Sequence, residues 1–148
     1  MTLRAGASAP EIPGTDISSG PRAVLFYKVT CPTCQISAPV AERLYGMFPD
    51  RFVAVAQDPP ERVRGFVEEY ETTFDSVSDE PPYEMSNAYG IEVVPTLFLV
   101  EDHVVTDVVE SWDRDGWNRL ASRMAGALGQ SIGPVSEEGD GLPVFRPG

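Results

Sequence analysis

Residues Leu25–Gln35 read LFYKVTCPTCQ and hold both cysteines of the chain, Cys31 and Cys34. Upstream, Arg22–Val29 (RAVLFYKV) is β-branched and aromatic with little polar interruption, the pattern of a buried strand. Pro32 then stands where the first turn of a helix tolerates a residue without an N–H. Apolar residues at Ile36, Val40, Leu44, Met47 and Phe48 continue at helical spacing, with Pro39 inside the pattern as an expected kink. The stretch therefore predicts a strand that ends in Cys-x-x-Cys and opens a helix.

That placement gives the two sulfurs different surroundings. Cys31 falls at the helix N-terminus, where unpaired N–H groups and the macrodipole favour an anion. Its thiol pKa is expected to drop from about 8.5 into the range of roughly 3.5 to 7.5. Cys34 falls one turn further in, shielded and close in space. A thiolate at Cys31 could attack a disulfide, and Cys34 could resolve the mixed disulfide. The pair could instead be half of a metal site or two inert thiols. A mononuclear zinc site needs two more ligands. His103 is the chain's one histidine and is placed by pattern in a surface turn, so only a site shared between subunits could complete a metal centre.

Composition narrows the rest. The 148 residues are 42% hydrophobic and 23% charged, which suits one globular domain. No apolar run is long enough to cross a bilayer, and Met1–Asp16 has no apolar block after its arginine, so the sequence predicts a cytoplasmic protein. The net charge is −12, and Asp58–Glu92 alone carries ten acidic residues against two arginines. Such a surface repels nucleic acid and anionic lipid and is read as a solubilising face.

Along the chain, residues 1–21 predict an extended lead-in. Arg51–Asp58 is a second strand, and Val63, Phe66, Val67 and Tyr70 form the stripe of a second helix. Strand–helix–strand–helix order implies parallel pairing through right-handed crossovers. Thr73–Val77 is a further short strand, Met85–Tyr89 a short helix closed by Gly90, and Thr96–Val100 with Val104–Glu110 a hairpin turning at Glu101–His103. Asp113 caps a last helix carrying Trp117, Leu120, Met124 and Leu128, with Gly129 at its end. Trp117 is assigned to packing, Trp112 to filling the hinge before this helix, and Lys28 to a strand end reaching solvent. Residues 1–130 thus form the domain. The tail, 131–148, is rich in Gly and Pro without periodicity and would by composition be disordered, with Val144–Phe145 the residues expected to pin it to a surface.

Cys31-Pro32-Thr33-Cys34 at a strand–helix junction, Pro39 five residues after the second cysteine, and Val93-Val94-Pro95-Thr96 before a strand together resemble the thioredoxin superfamily. The lead-in and the stretch Ser86–Asp102 are similar to its redoxin, peroxiredoxin-like branch. The resemblance covers about residues 3–128. It implies an α/β thioredoxin fold with a central mixed sheet flanked by helices. It also implies a cis peptide before Pro95, facing the cysteines. The implied activity is thiol–disulfide exchange, as a reductase in a cytosol, without a bound cofactor or metal. Cys31 would be the nucleophile and Cys34 the resolving thiol. Thr30, Pro32, Thr33, Val94 and Pro95 would shape the substrate groove. The implied partners are a disulfide-bearing protein or small molecule and an upstream dithiol donor, with the chain a monomer or weak dimer. A redox-sensing module and a thiol peroxidase are the alternatives. Two departures stand out. The buried acid of thioredoxin, six residues before its first cysteine, is Leu25 here. The threonine and proline of the peroxiredoxin peroxide site are Lys28 and Val24.

Overall fold

A computed structural model describes all residues, 1–148. Five strands form one mixed sheet: β1 (Pro21–Tyr27), β2 (Phe52–Ala56), β3 (Ser76–Ser78), β4 (Thr96–Glu101) and β5 (Val104–Glu110), in the order β3-β2-β1-β4-β5. β1 pairs in parallel with β2, as does β2 with β3, whereas β1–β4 and β4–β5 are antiparallel. The parallel half follows from crossovers through α1 (Pro32–Met47) and α2 (Pro60–Tyr70). The antiparallel half follows from the tight turn at Asp102–His103, where both residues have positive φ (49° and 66°), the twist a two-residue hairpin favours. α3 (Glu84–Ala88) precedes β4. β6 (Trp112–Asp113) leads into α4 (Arg114–Ala127) and pairs with β7 (Phe145–Arg146).

β1 is the central strand, and its alternation fills both faces of the sheet. Ala23, Leu25 and Tyr27 point into a core shared with Cys34, Val40, Leu44, Trp117, Leu120 and Met124 of α1 and α4. Val24 and Phe26 face the other way, toward Ala9, Ile12 and Ile17 of the lead-in and Tyr89 beyond α3. The lead-in also closes the outer edge of β5. Gly6 N–H donates to Val105 O at 2.8 Å, Val105 N–H to Ala7 O at 2.9 Å, and Ala9 N–H to His103 O at 2.7 Å. An edge strand that would otherwise offer unpaired backbone is thus covered.

Several boundaries differ from the sequence expectation. β1 stops at Tyr27, not Val29, because the chain turns there: Cys31 N–H donates to Lys28 O at 3.1 Å, and Val29 N–H is taken by the Asp58 carboxylate at 2.8 Å. The third strand begins at Ser76, not Thr73, because Thr73 is held by the Glu42 carboxylate of α1, its N–H donating at 2.7 Å. α1 runs as one element through Pro39.

The tail is ordered, contrary to the reading from its composition. Val135 is fully buried in the core. Its amide and that of Ser136 donate to Asn118 Oδ1 at 2.8 and 3.2 Å, and Asn118 Nδ2 donates to Ser136 O at 2.8 Å. Arg114, only 8% exposed, donates to Ser136 Oγ and Asp140 at 3.0 Å each and to Leu142 O at 2.9 Å. Side chains of α4 supply the hydrogen bonds that a periodic tail would have made for itself. Val144 and Phe145, the expected pins, are themselves 57% and 55% exposed, and it is their backbone that is held.

Candidate active site

The strand-to-helix junction delivers the cysteines as the spacing predicts. Cys31 is the N-cap of α1, in extended backbone (φ −80°, ψ 117°), and its Sγ accepts the Cys34 N–H at 3.1 Å. Cys31 is partly exposed and Cys34 is 3% exposed; both are free thiols. The Cys34 thiol donates to the Cys31 sulfur, and the Cys34 and Thr33 amides and the Arg146 cation add to this. Together they hold the Cys31 thiol well below its ordinary value, at about 6, against the opposing effect of burial. Burial pushes the Cys34 thiol far up, with the adjacent Cys31 sulfur and the Asp58 carboxylate adding to the rise.

Behind Cys34 lies a cavity of about 10 Å³, bounded by Leu25, Tyr27, Ser37, Ala38, Phe66, Phe74 and Pro95 among others. It is about the size of one water. Leu25 is 4% exposed and contributes hydrocarbon where an acid would stand in thioredoxin. The Tyr27 phenol is raised to about 12 by burial and hydrogen-bonds Ser76 Oγ at 2.7 Å, so it stays protonated. The buried carboxylate that acts on Cys34 is Asp58, two residues past β2, 5% exposed and bonded to the Val29 amide.

Across from the pair lies the loop before β4. The Val94–Pro95 peptide is cis, and the Val94 carbonyl lies 3.4 Å from Cys31 Sγ, where it accepts from the protonated thiol. Pro95 is buried and Val94 half-buried, while Thr30 and Pro32 are exposed on the rim. Thr33 is 3% exposed, and its hydroxyl donates to Pro147 O at 2.7 Å. Cys31, Cys34, Thr33, Val94 and Pro95 thus converge, with Thr30 and Pro32 beside them. Trp112, expected to fill the hinge before α4, is fully buried against Trp117 with ring centroids 5.0 Å apart. His103 lies at the hairpin, pairing with Glu11 at 3.0 Å, and no group of three or more His, Cys, Asp or Glu is arranged to hold a metal ion.

Sequence reasoning missed the tail's part in this site. Gly148 N–H donates to Ser111 Oγ at 3.0 Å, and the Gly148 backbone is packed against the Val94 carbonyl closely enough that a Cβ would collide with it. The cation beside Cys31 is Arg146, 115 positions away in sequence, and not the neighbouring Lys28. No local pattern announces contacts at that separation.

The chain is similar to known proteins in sequence and in fold. The thiol-disulfide oxidoreductase ResA of Halalkalibacterium halodurans is 33% identical over 82 residues, which are 53% of this chain and 46% of that protein. The match thus spans about half the length of that relative. Among solved structures, MTB dsbF, described in mixed oxidized and reduced forms, is 27% identical at a TM-score of 0.64, covering 73% of this chain and 83% of that one. The Chlorobium tepidum structure of a putative thiol:disulfide interchange protein DsbE aligns at a TM-score of 0.73 and 22% identity, over 86% of this chain and 99% of that one. That likeness establishes the thioredoxin-like fold. No helix is long and apolar enough to cross a membrane. The AhpC/TSA family model matches residues 7–108, from the lead-in into β5 and including both cysteines and the Val94–Pro95 loop, and the chain belongs to that family.

Proposed function

We propose that this chain is a thiol–disulfide oxidoreductase that works as a reductase, with Cys31 as nucleophile and Cys34 as resolving thiol. The observation that carries the exchange chemistry is the asymmetry of the pair: a partly exposed sulfur at a helix start, held at about 6, beside a buried thiol that donates to it; the direction, reduction, is the part the insulin test decides. At neutral pH Cys31 is mostly thiolate. It attacks one sulfur of a substrate disulfide, forms a Cys31–substrate disulfide, and expels the other substrate sulfur as a thiolate that takes up a proton. The negative charge on Cys31 is then gone, which removes one of the effects keeping Cys34 protonated. Cys34 loses its proton and attacks Cys31 Sγ. The second substrate thiol leaves, and two electrons have passed to the substrate. A dithiol donor returns the Cys31–Cys34 disulfide to the reduced pair.

The ResA resemblance supports the exchange chemistry, and the exposed rim at Thr30 and Pro32 suits a protein or peptide disulfide. A peroxidase of the usual family type is less well supported. The positions of its peroxide-binding residues hold Lys28 and fully buried Val24, and the Thr33 hydroxyl is engaged by Pro147. The test is reduction of insulin disulfides by a small thiol. Wild-type protein should accelerate it and Cys31→Ser should return it to the blank. Equal rates for wild type, variant and blank would sink the reductase reading.

A further inference from the structure

The segment after Leu142 supplies neither of the exchanging sulfurs, only the Arg146 cation that adds to the acidity of Cys31, yet it is led to the site step by step. Trp112 Nε1–H donates to Pro143 O at 2.8 Å and Arg114 N–H to Val144 O at 2.9 Å. Phe145 and Arg146 then pair antiparallel with Asp113 and Trp112 as an added strand. Pro147 O accepts from Thr33, inside the Cys-x-x-Cys turn, and Gly148 is held by Ser111 and packs on the Val94 carbonyl. Val94 makes no backbone hydrogen bond of its own. Its main chain is the surface an incoming extended peptide would use, since strand addition recognises unpaired backbone.

We propose that Phe145–Gly148 is a tethered pseudosubstrate, lying extended in the groove between Thr33, Val94 and Ser111, and that a disulfide-bearing peptide must displace it to reach Cys31. This rests on the reductase reading above. The geometry fixes what the groove accepts: an extended strand beside β6, a carbonyl over the Thr33 hydroxyl, and a residue without a Cβ over Val94. The occupant's strand residues are exposed, Phe145 at 55%, so it covers the groove without being part of the core. A segment tethered this closely has an effective concentration of about 1–10 mM. Against an intrinsic affinity of about 1 mM, occupancy would slow peptide substrates roughly two- to tenfold.

Two variants test this. A chain cut after Val144 keeps Val135, the Arg114 contacts and the Trp112–Pro143 bond. Gly148→Val in the full chain forces the end of the segment away from Val94 while keeping Arg146. Both should reduce a peptide disulfide roughly two- to tenfold faster than wild type. Alkylation of Cys31 by iodoacetamide, which is small enough to pass the segment, should change less than about twofold in Gly148→Val. Adding the peptide Phe145–Gly148 to the cut chain should slow peptide-disulfide reduction and restore the amide NMR signals of Thr33, Val94 and Ser111 to their full-length positions. Unchanged or slower peptide reduction in both variants of an active enzyme would overturn the pseudosubstrate role alone and make the segment a wall of the substrate site. Absence of disulfide reduction in every form would overturn the reductase reading and this role with it.

Discussion

At the scale of single residues, reactivity is a matter of what surrounds one sulfur. Cys31 is acidified first by the Cys34 thiol and then by the Cys34 and Thr33 amides. Cys34→Ala removes the first of these and leaves the helix start in place. A hydrogen bond to a charged group is worth about 1.5–3 kcal/mol, so the Cys31 midpoint should rise by about one to two units. The pH dependence of alkylation of the variant reads this directly, and an unmoved midpoint would assign the acidity to the backbone amides and the Arg146 cation. The cysteine asymmetry was legible in the sequence because it follows from position within one helix turn. The apolar wall behind Cys34 was legible too, as Leu25 in place of an acid. Arg146 was not, since a cation brought in from the tail leaves no local trace.

At the scale of elements, the sequence specified those whose signals are local. Val104–Glu110 and the cap at Asp113 stand where the pattern placed them. The Asp113 carboxylate accepts the Gly116 N–H at 3.2 Å and holds the start of α4, which carries Arg114 and Asn118. Asp113→Ala should cost about 1 kcal/mol of stability, measured by urea denaturation. A cost well below 0.5 kcal/mol, outside the ordinary range for caps, would mean that tertiary packing alone fixes that end. Strand ends were less legible, because side chains from elsewhere decided them. Asp58 takes the Val29 amide and Glu42 takes Thr73, and neither partner is adjacent in sequence.

At the scale of the whole molecule, the tail turns a thioredoxin-like domain into one whose active face is partly covered. Its order depends on side chains of α4, chiefly the buried Arg114 with its Ser136, Asp140 and Leu142 partners. Arg114→Met keeps much of the buried volume and removes all of these hydrogen bonds. The tail beyond Ser136 should then loosen and become cleavable in limited proteolysis, while the core helices and sheet keep their circular dichroism. A tail as protected as in wild type would show that backbone pairing with Trp112 and Asp113 suffices. Composition pointed to disorder for this segment because Gly and Pro carry no pattern of their own. What orders it is a set of polar anchors on a helix, visible only once the chain is folded.

An acidic Cys31 beside a buried Cys34 is the origin of the proposed chemistry, and the pH dependence of iodoacetamide alkylation of the fully reduced wild-type protein reads that acidity. Cys34, 3% exposed, is shielded from the reagent, so the rate follows Cys31. The predicted curve rises through a midpoint of about 6 and is flat by neutral pH. A midpoint near the free-thiol value of about 8.5 would contradict it.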